Sequence, residues 1–163
     1  MKALLSVCVL LGALTVAAAA QTMKYGVTVT PDKDTNFAAL KTYAWTRGTP
    51  AIDKKVDQQI VAAVDHELAG LGLTKKAAGA ADVLVSYAAL QRTDVDLKSK
   101  PDAAGVSRQY AVGTLVVVLL DPKKSDRRLL TARADKPLDA EPAKVQALID
   151  GVVAEMFTKY PTR

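Results

Sequence analysis

The alternation of apolar and polar positions divides the chain into strands, turns and two helices. Residues 25–30, YGVTVT, alternate and are rich in β-branched side chains, which predicts a strand. The PDKDTN that follows is a turn, punctuated by Pro31 and an Asp/Asn cluster. Next comes NFAALKTYAW. Its first part predicts a short turn that tucks Phe37 and Leu40 inward, and residues 41–46 a second strand on which Tyr43 and Trp45 share one face. Residues 53–71 carry Val56, Ile60, Val64, Leu68 and Leu71 at spacings of four and three, with Ala63 filling the stripe, and predict an amphipathic helix. Asp53 is placed to cap its start, and Gly70 and Gly72 its end. A small-residue linker over 77–81 leads to a strand over 83–90.

Residues 92–107 are polar, contain Pro101 and Gly105, and show no period, which predicts a long loop. The longest strand is expected over 109–120. Its tail, LVVVLL, is apolar on both faces, as in a central strand covered on both sides. DPKKSD is a hairpin turn, and residues 128–134 return as its partner strand. Pro142 suits the first turn of a closing helix, in which Val145, Leu148, Ile149, Val152, Val153, Met156 and Phe157 form the apolar face. Pro161 ends the fold. Two helices cannot cover both faces of a sheet. The expected architecture is therefore an α+β two-layer sandwich: one mostly antiparallel sheet of about five strands, with both helices on one face.

The N-terminus changes the compartment. Lys2 precedes an apolar stretch interrupted only by Ser6, Gly12 and Thr15, and Ala18-Ala19-Ala20 is a small-residue cleavage signal. These parts in this order predict a secretory signal peptide over 1–20, cleaved between Ala20 and Gln21, and a single domain over 21–163 in the periplasm. Cys8 follows too short an apolar run, and Val7 is too large, for a lipoprotein signal, so no stable lipid anchor is expected. Cys8 leaves with the signal. The mature chain then has no disulfide, no thiol chemistry and no thiolate metal site. Loss of Lys2 takes the net charge from +5 to +4, a mildly basic balance without the footprint of a nucleic-acid binder.

The chain resembles the DUF4136 family of bacterial envelope proteins, a domain of unknown function often found on lipoproteins. The resemblance rests on FAALKTYAW from Phe37 to Trp45, on VDHEL from Val64 with the glycine end that follows, on ADVLVSY from Ala81, on GTLVV from Gly113, and on KYP from Lys159. Val118 stands where the family commonly has an acidic residue, and Thr131 where it commonly has Trp. The matching residues are patterns of fold. They imply the sandwich and an envelope location, and they transfer no catalytic residue.

No constellation for catalysis stands out. His66, flanked by Asp65 and Glu67, falls on the polar side of the helical wheel and reads as a solvated histidine. Ser86 and Ser125 lack the glycines of a nucleophile elbow, and there is no phosphate-binding glycine loop. Asp94, Asp96 and Asp102 lack the glycine and closing Glu of a calcium loop. No metal and no cofactor is expected. The leading expectation is a non-enzymatic binding or structural module that meets an envelope protein or an apolar ligand. The rival is a hydrolase using the carboxylates of Asp82, Asp94 or Asp121.

Two surfaces are candidates. Lys123, Lys124, Arg127 and Arg128 surround the hairpin turn, either as an anionic-surface contact or as charges that keep a hydrophobic hairpin soluble. Tyr43, Trp45, Leu115, Val117 and Leu119 are the candidate partner or ligand surface. Tyr43 and Trp45 read either as core or as a platform on an open sheet face. Leu115, Val117 and Leu119 point one way and Val116, Val118 and Leu120 the other, so a second cover is needed: the loop over 92–107, the N-terminal segment, a second copy or a ligand.

Overall fold

The computed structural model describes residues 26–77, 81–138 and 141–161. The expected signal peptide, Cys8, the cleavage position, Tyr25 and most of the small-residue linker lie outside the described residues. The elements in order are β1 (Thr28–Pro31), a 3-10 turn (Phe37–Ala39), β2 (Thr42–Trp45), α1 (Lys54–Gly70), β3 (Thr74–Lys75), β4 (Val83–Val95), β5 (Gln109–Asp121), β6 (Lys124–Pro137), a second 3-10 turn (Pro142–Lys144) and α2 (Val145–Phe157). The strands form one sheet in the order β1-β6-β5-β4-β2-β3. Pairing is antiparallel except that β2 runs parallel to both β3 and β4. A parallel neighbour requires a crossover, and α1 supplies it between β2 and β4. The sixth strand, β3, is two residues long, too short to show a period.

Register explains which side chains are inside. Tyr87, Val117 and Ala132 stand abreast on β4, β5 and β6, and so do Val85, Leu119 and Leu130. All six are buried, together with Ile60, Val64 and Leu68 of α1 and Val152, Val153 and Met156 of α2. Both helices therefore lie on this face and pack side by side. Asp53 caps α1 as its sequence position suggests, accepting from the Lys55 and Val56 amides at 2.7 and 3.1 Å. Gly72, at φ +84°, turns the chain out of α1, and the Leu73 amide reaches back to the Leu68 carbonyl. His66 is exposed.

Two expectations change, and the register adds a third feature. Tyr43, Val117 and Leu119 are core residues rather than a partner surface, the first only 2 % exposed and the other two fully buried beneath the helices. LVVVLL is apolar on both faces, so its pattern cannot say which face the helices take. They take the Val117 face, and Val116, Val118 and Leu120 lie half-buried on the other. Second, β4 runs to Val95 and β6 from Lys124 to Pro137, so 92–95 is strand and the connecting turn is Pro122–Lys123 alone. These ends carry few apolar side chains because much of their length projects past the helices, which removes the alternation that marks a half-buried strand. Third, the ladder shifts between Leu119 and Leu120, so that Leu119 faces Leu130 while Leu120 faces Arg128. The extra residue, Leu129, is buried beside Leu130.

At the end of the sheet near β1, Tyr160 packs edge-on against Phe37 at 5.2 Å and stacks with Phe157. Its ring is buried and its hydroxyl finds no hydrogen-bond partner among the described residues. Burial pushes its ionisation up to about 12. An unpaired buried hydroxyl carries a desolvation cost of ~1 kcal/mol or more. Tyr160→Phe keeps the ring contacts and is expected to raise stability by ~1 kcal/mol, read as a higher urea midpoint. A lower midpoint would show that the hydroxyl is satisfied.

Candidate functional site

NFAALKTYAW is a clasp between the sheet and α1. Tyr43 Oη and Trp45 Nε1 both donate to Asp65 Oδ1, at 2.7 and 2.8 Å, and Lys75 Nζ reaches Asp65 Oδ2 at 2.8 Å. Trp45 sits edge-on to Tyr87 at 6.0 Å, and Tyr87 donates in turn to Asp57 of α1. Burial opposes ionisation of Asp65, but the hydrogen bonds from Lys75, Tyr43 and Trp45 outweigh it and hold the carboxyl below its usual value. Tyr43 shifts the opposite way, because burial and then the neighbouring Asp65 disfavour the phenolate. The aromatics are therefore structural, with Trp45 half-buried and packed against the core.

The carboxylates of the rival hydrolase reading do not form one group: Asp82 and Asp121 lie at the same end of the adjacent strands β4 and β5, and Asp94 at the other. Asp82 accepts from the Lys41 and Thr42 amides and from Thr42 Oγ1, between 2.8 and 3.0 Å, and these bonds keep it ionised below its ordinary value. Asp121 accepts from the Lys123 amide in the hairpin turn. Asp94 lies at the far end of β4, roughly 40 Å along the strand from Asp82, and pairs with Arg92. Arg92 also reaches Asp135 and Thr114 at 2.8 and 3.0 Å. Thr114 is the buried polar side chain among the described residues, and this network satisfies it. Arg133, then Thr114 and Arg92, hold Asp135 well below the usual carboxylate range. No group of three or more potential metal ligands occurs among the described residues.

The basic turn separates into two roles. Arg127 is committed to Asp32 and lies 3.8 Å from Asp121, whereas Lys123, Lys124 and Arg128 are exposed. Thr35 and Arg127 together lower the Asp32 carboxyl.

A concave feature lies farther along the sheet, away from the basic turn. A cleft of about 510 Å³ opens between the starts of the two helices and the middle of β4, the incoming half of β5 and the outgoing end of β6. Ala89, Leu115 and Ala134 stand abreast on its floor. Val56 and Ile60 of α1 form one wall, and Val145, Leu148 and Val152 of α2 the other. Two alanines beside one leucine leave volume that the helices do not fill. Gly113 lies at the end of the floor, where Leu138 folds over it: a Cβ there would stand 2.8 Å from Leu138 Cδ2. Ile52, 99 % exposed, and the half-exposed Leu90 and Leu138 belong to the rim. Asp53 and Lys136 supply its charged groups. Volume and lining are those of a site for a small, mainly apolar ligand, for which pockets run about 300–1,000 Å³.

Of the candidate surface, only Leu115 lines this cleft. The other lining residues were not among the sequence candidates. One signal was present: Gly113, a glycine inside a strand pattern, marks a close approach of another part of the chain.

Comparison with known proteins bears on the fold. Residues 27–162 match the model of DUF4136, a domain of unknown function. A DUF4136 family protein from Bacteroides thetaiotaomicron is 14% identical with a TM-score of 0.59, covering 85% of this chain and 96% of that one. A PDZ domain protein from Parabacteroides distasonis is 17% identical with a TM-score of 0.59 over 85% of this chain, which spans only 36% of that protein. PelC from Paraburkholderia phytofirmans, described as a dodecamer, is 12% identical with a TM-score of 0.53, covering 81% of this chain and 96% of that one. At these identities the likeness is one of fold. No curated protein matches the chain.

Proposed function

We propose a binding role, without catalysis, for this chain, which belongs to the DUF4136 family: it receives an apolar ligand in the cleft between its helix starts and works in the bacterial envelope. The observation that carries the reading is the cleft itself, an aliphatic concavity of about 510 Å³ with an apolar rim. The signal-like N-terminus supports export to the periplasm, with cleavage between Ala20 and Gln21. The commitment of Asp82 and Asp121 to backbone amides and of Asp94 to Arg92 argues against a carboxylate hydrolase. An envelope protein could present the same chemistry as an inserted apolar side chain, but a concave aliphatic site favours a small ligand.

Titration with a fluorescent long-chain fatty acid tests the reading. The protein is expected to enhance and blue-shift the probe at saturable stoichiometry. Leu148→Asp places a carboxylate on the half-buried wall of the cleft and should weaken the probe at least tenfold, with the far-ultraviolet circular dichroism unchanged. Equal binding by both proteins would remove the cleft as the site. No binding by the native chain would remove an apolar ligand of this class.

A further inference from the structure

We infer that the β4–β5 arm beyond the cleft is a docking tip for a bilayer surface that carries anionic headgroups. The inference stands independently of whether the cleft is filled. Past the Val112–Pro137 pair the sheet narrows to two strands, which continue to the Val95–Gln109 pair. The connection that follows is folded on its own hydrogen bonds. Asp96 Oδ1 accepts from the Lys98 and Ser99 amides, Asp102 Oδ1 accepts from those of Ala104 and Val106, and the Asp96 amide donates to the Arg108 carbonyl. Gly105, at φ +80°, makes the reversal.

These bonds decide what the tip presents. Each of its two carboxylates has an oxygen engaged with the backbone. Lys98, Lys100 and Arg108 are exposed and make no ion pair with a described residue. Between them Leu97 is 86 % exposed, and Val95 and Val106 about half. Exposed aliphatic side chains among unpaired cations match an interface whose headgroups are anionic and whose interior is apolar. The other basic end of the molecule is a control. Lys123, Lys124 and Arg128 lie about 40 Å away along β5, judged by the strand rise, and none of the exposed large hydrophobic residues among the described residues lies there. Among the described residues all six of these belong to the cleft rim or the arm: Ile52, Leu90, Leu138, Val95, Leu97 and Val106. The arm therefore has both elements of interfacial binding, and the β5–β6 turn has only charge.

Co-sedimentation of the full chain with vesicles tests the inference, comparing phosphatidylcholine alone with phosphatidylcholine containing phosphatidylglycerol. The native protein is expected to pellet with the anionic vesicles and to be weakened by salt. Leu97→Asp combined with Val106→Asp should reduce binding at least tenfold. Lys98→Glu and Lys100→Glu should each cost roughly fivefold or more, since a basic side chain near an anionic surface contributes about 1 kcal/mol. Lys123→Glu with Lys124→Glu should leave binding nearly unchanged. The arm variants change exposed side chains, so circular dichroism and fatty-acid binding should match the native protein. The inference is overturned if the native chain ignores both vesicles, if arm and turn variants lose binding equally, or if only the turn variant loses it. Gly113→Phe, which fills the cleft, should still bind vesicles, so failure of the ligand reading and failure of this one remain distinguishable.

Discussion

Asp65→Ala is expected to lower stability by about 3 kcal/mol, roughly 10 °C in Tm. The carboxylate is the common acceptor for Tyr43 and Trp45, and its side chain is 26 % exposed. Alanine leaves the buried Tyr43 hydroxyl and the Trp45 indole N–H without that partner. Stranded donors in a desolvated place cost more than the bonds themselves contributed. Lys75, half exposed, returns to solvent at little cost. Asp65→Asn keeps one acceptor oxygen and should cost about half as much. The pH dependence has a definite sign. The folded-state pKa of Asp65 is depressed, so its contribution is present above the ordinary carboxylate pKa and is lost as pH falls through the depressed value. Urea midpoints from neutral pH to below about pH 4 should therefore fall more steeply for the native protein than for Asp65→Asn. Parallel curves, or an Asp65→Ala protein of native stability, would show that the clasp contributes nothing.

Gly113→Phe is expected to abolish ligand binding while leaving the fold in place. The new Cβ meets Leu138 Cδ2 at 2.8 Å, and the half-exposed Leu138 side chain can swing outward. The ring then occupies the end of the cleft floor next to Leu115. Affinity for the fatty-acid probe should fall about a hundredfold, or ~2.7 kcal/mol. Stability should change by less than ~1 kcal/mol, because an aromatic residue replaces glycine inside a strand. Isothermal titration paired with thermal unfolding separates the two effects. A Gly113→Phe protein that binds normally would place the ligand elsewhere.

The architecture was largely legible from periodicity. Asp53 caps α1, the Ile60, Val64 and Leu68 stripe is buried, and α2 follows its three-and-four spacing. Parity was not legible. LVVVLL offers apolar side chains to both faces, so Val117 and Leu119 looked as available as Val118 until the helices were placed. The extensions of β4 and β6 were hidden for a related reason: strand that projects beyond the helices has little apolar face to alternate. The cleft was the least visible feature. Ala89, Leu115 and Ala134 come together only through the register of three strands, and small residues leave little hydropathy signal. In the sequence Asp65 stood out only as a neighbour of the solvated His66. Its actual partners, Tyr43 and Trp45, are about twenty residues away in sequence and met only through the βαβ crossover.

The central claim is that ligand occupies the cleft and not the sheet face opposite the helices. Its most direct test is a methyl and amide NMR titration of the native chain with a long-chain fatty acid. The account predicts saturable shifts centred on Ala89, Leu115, Ala134, Val145 and Leu148, and their disappearance in Gly113→Phe. Shifts centred on Leu84, Val116, Val118 and Leu120, or none at high ligand concentration, would contradict it.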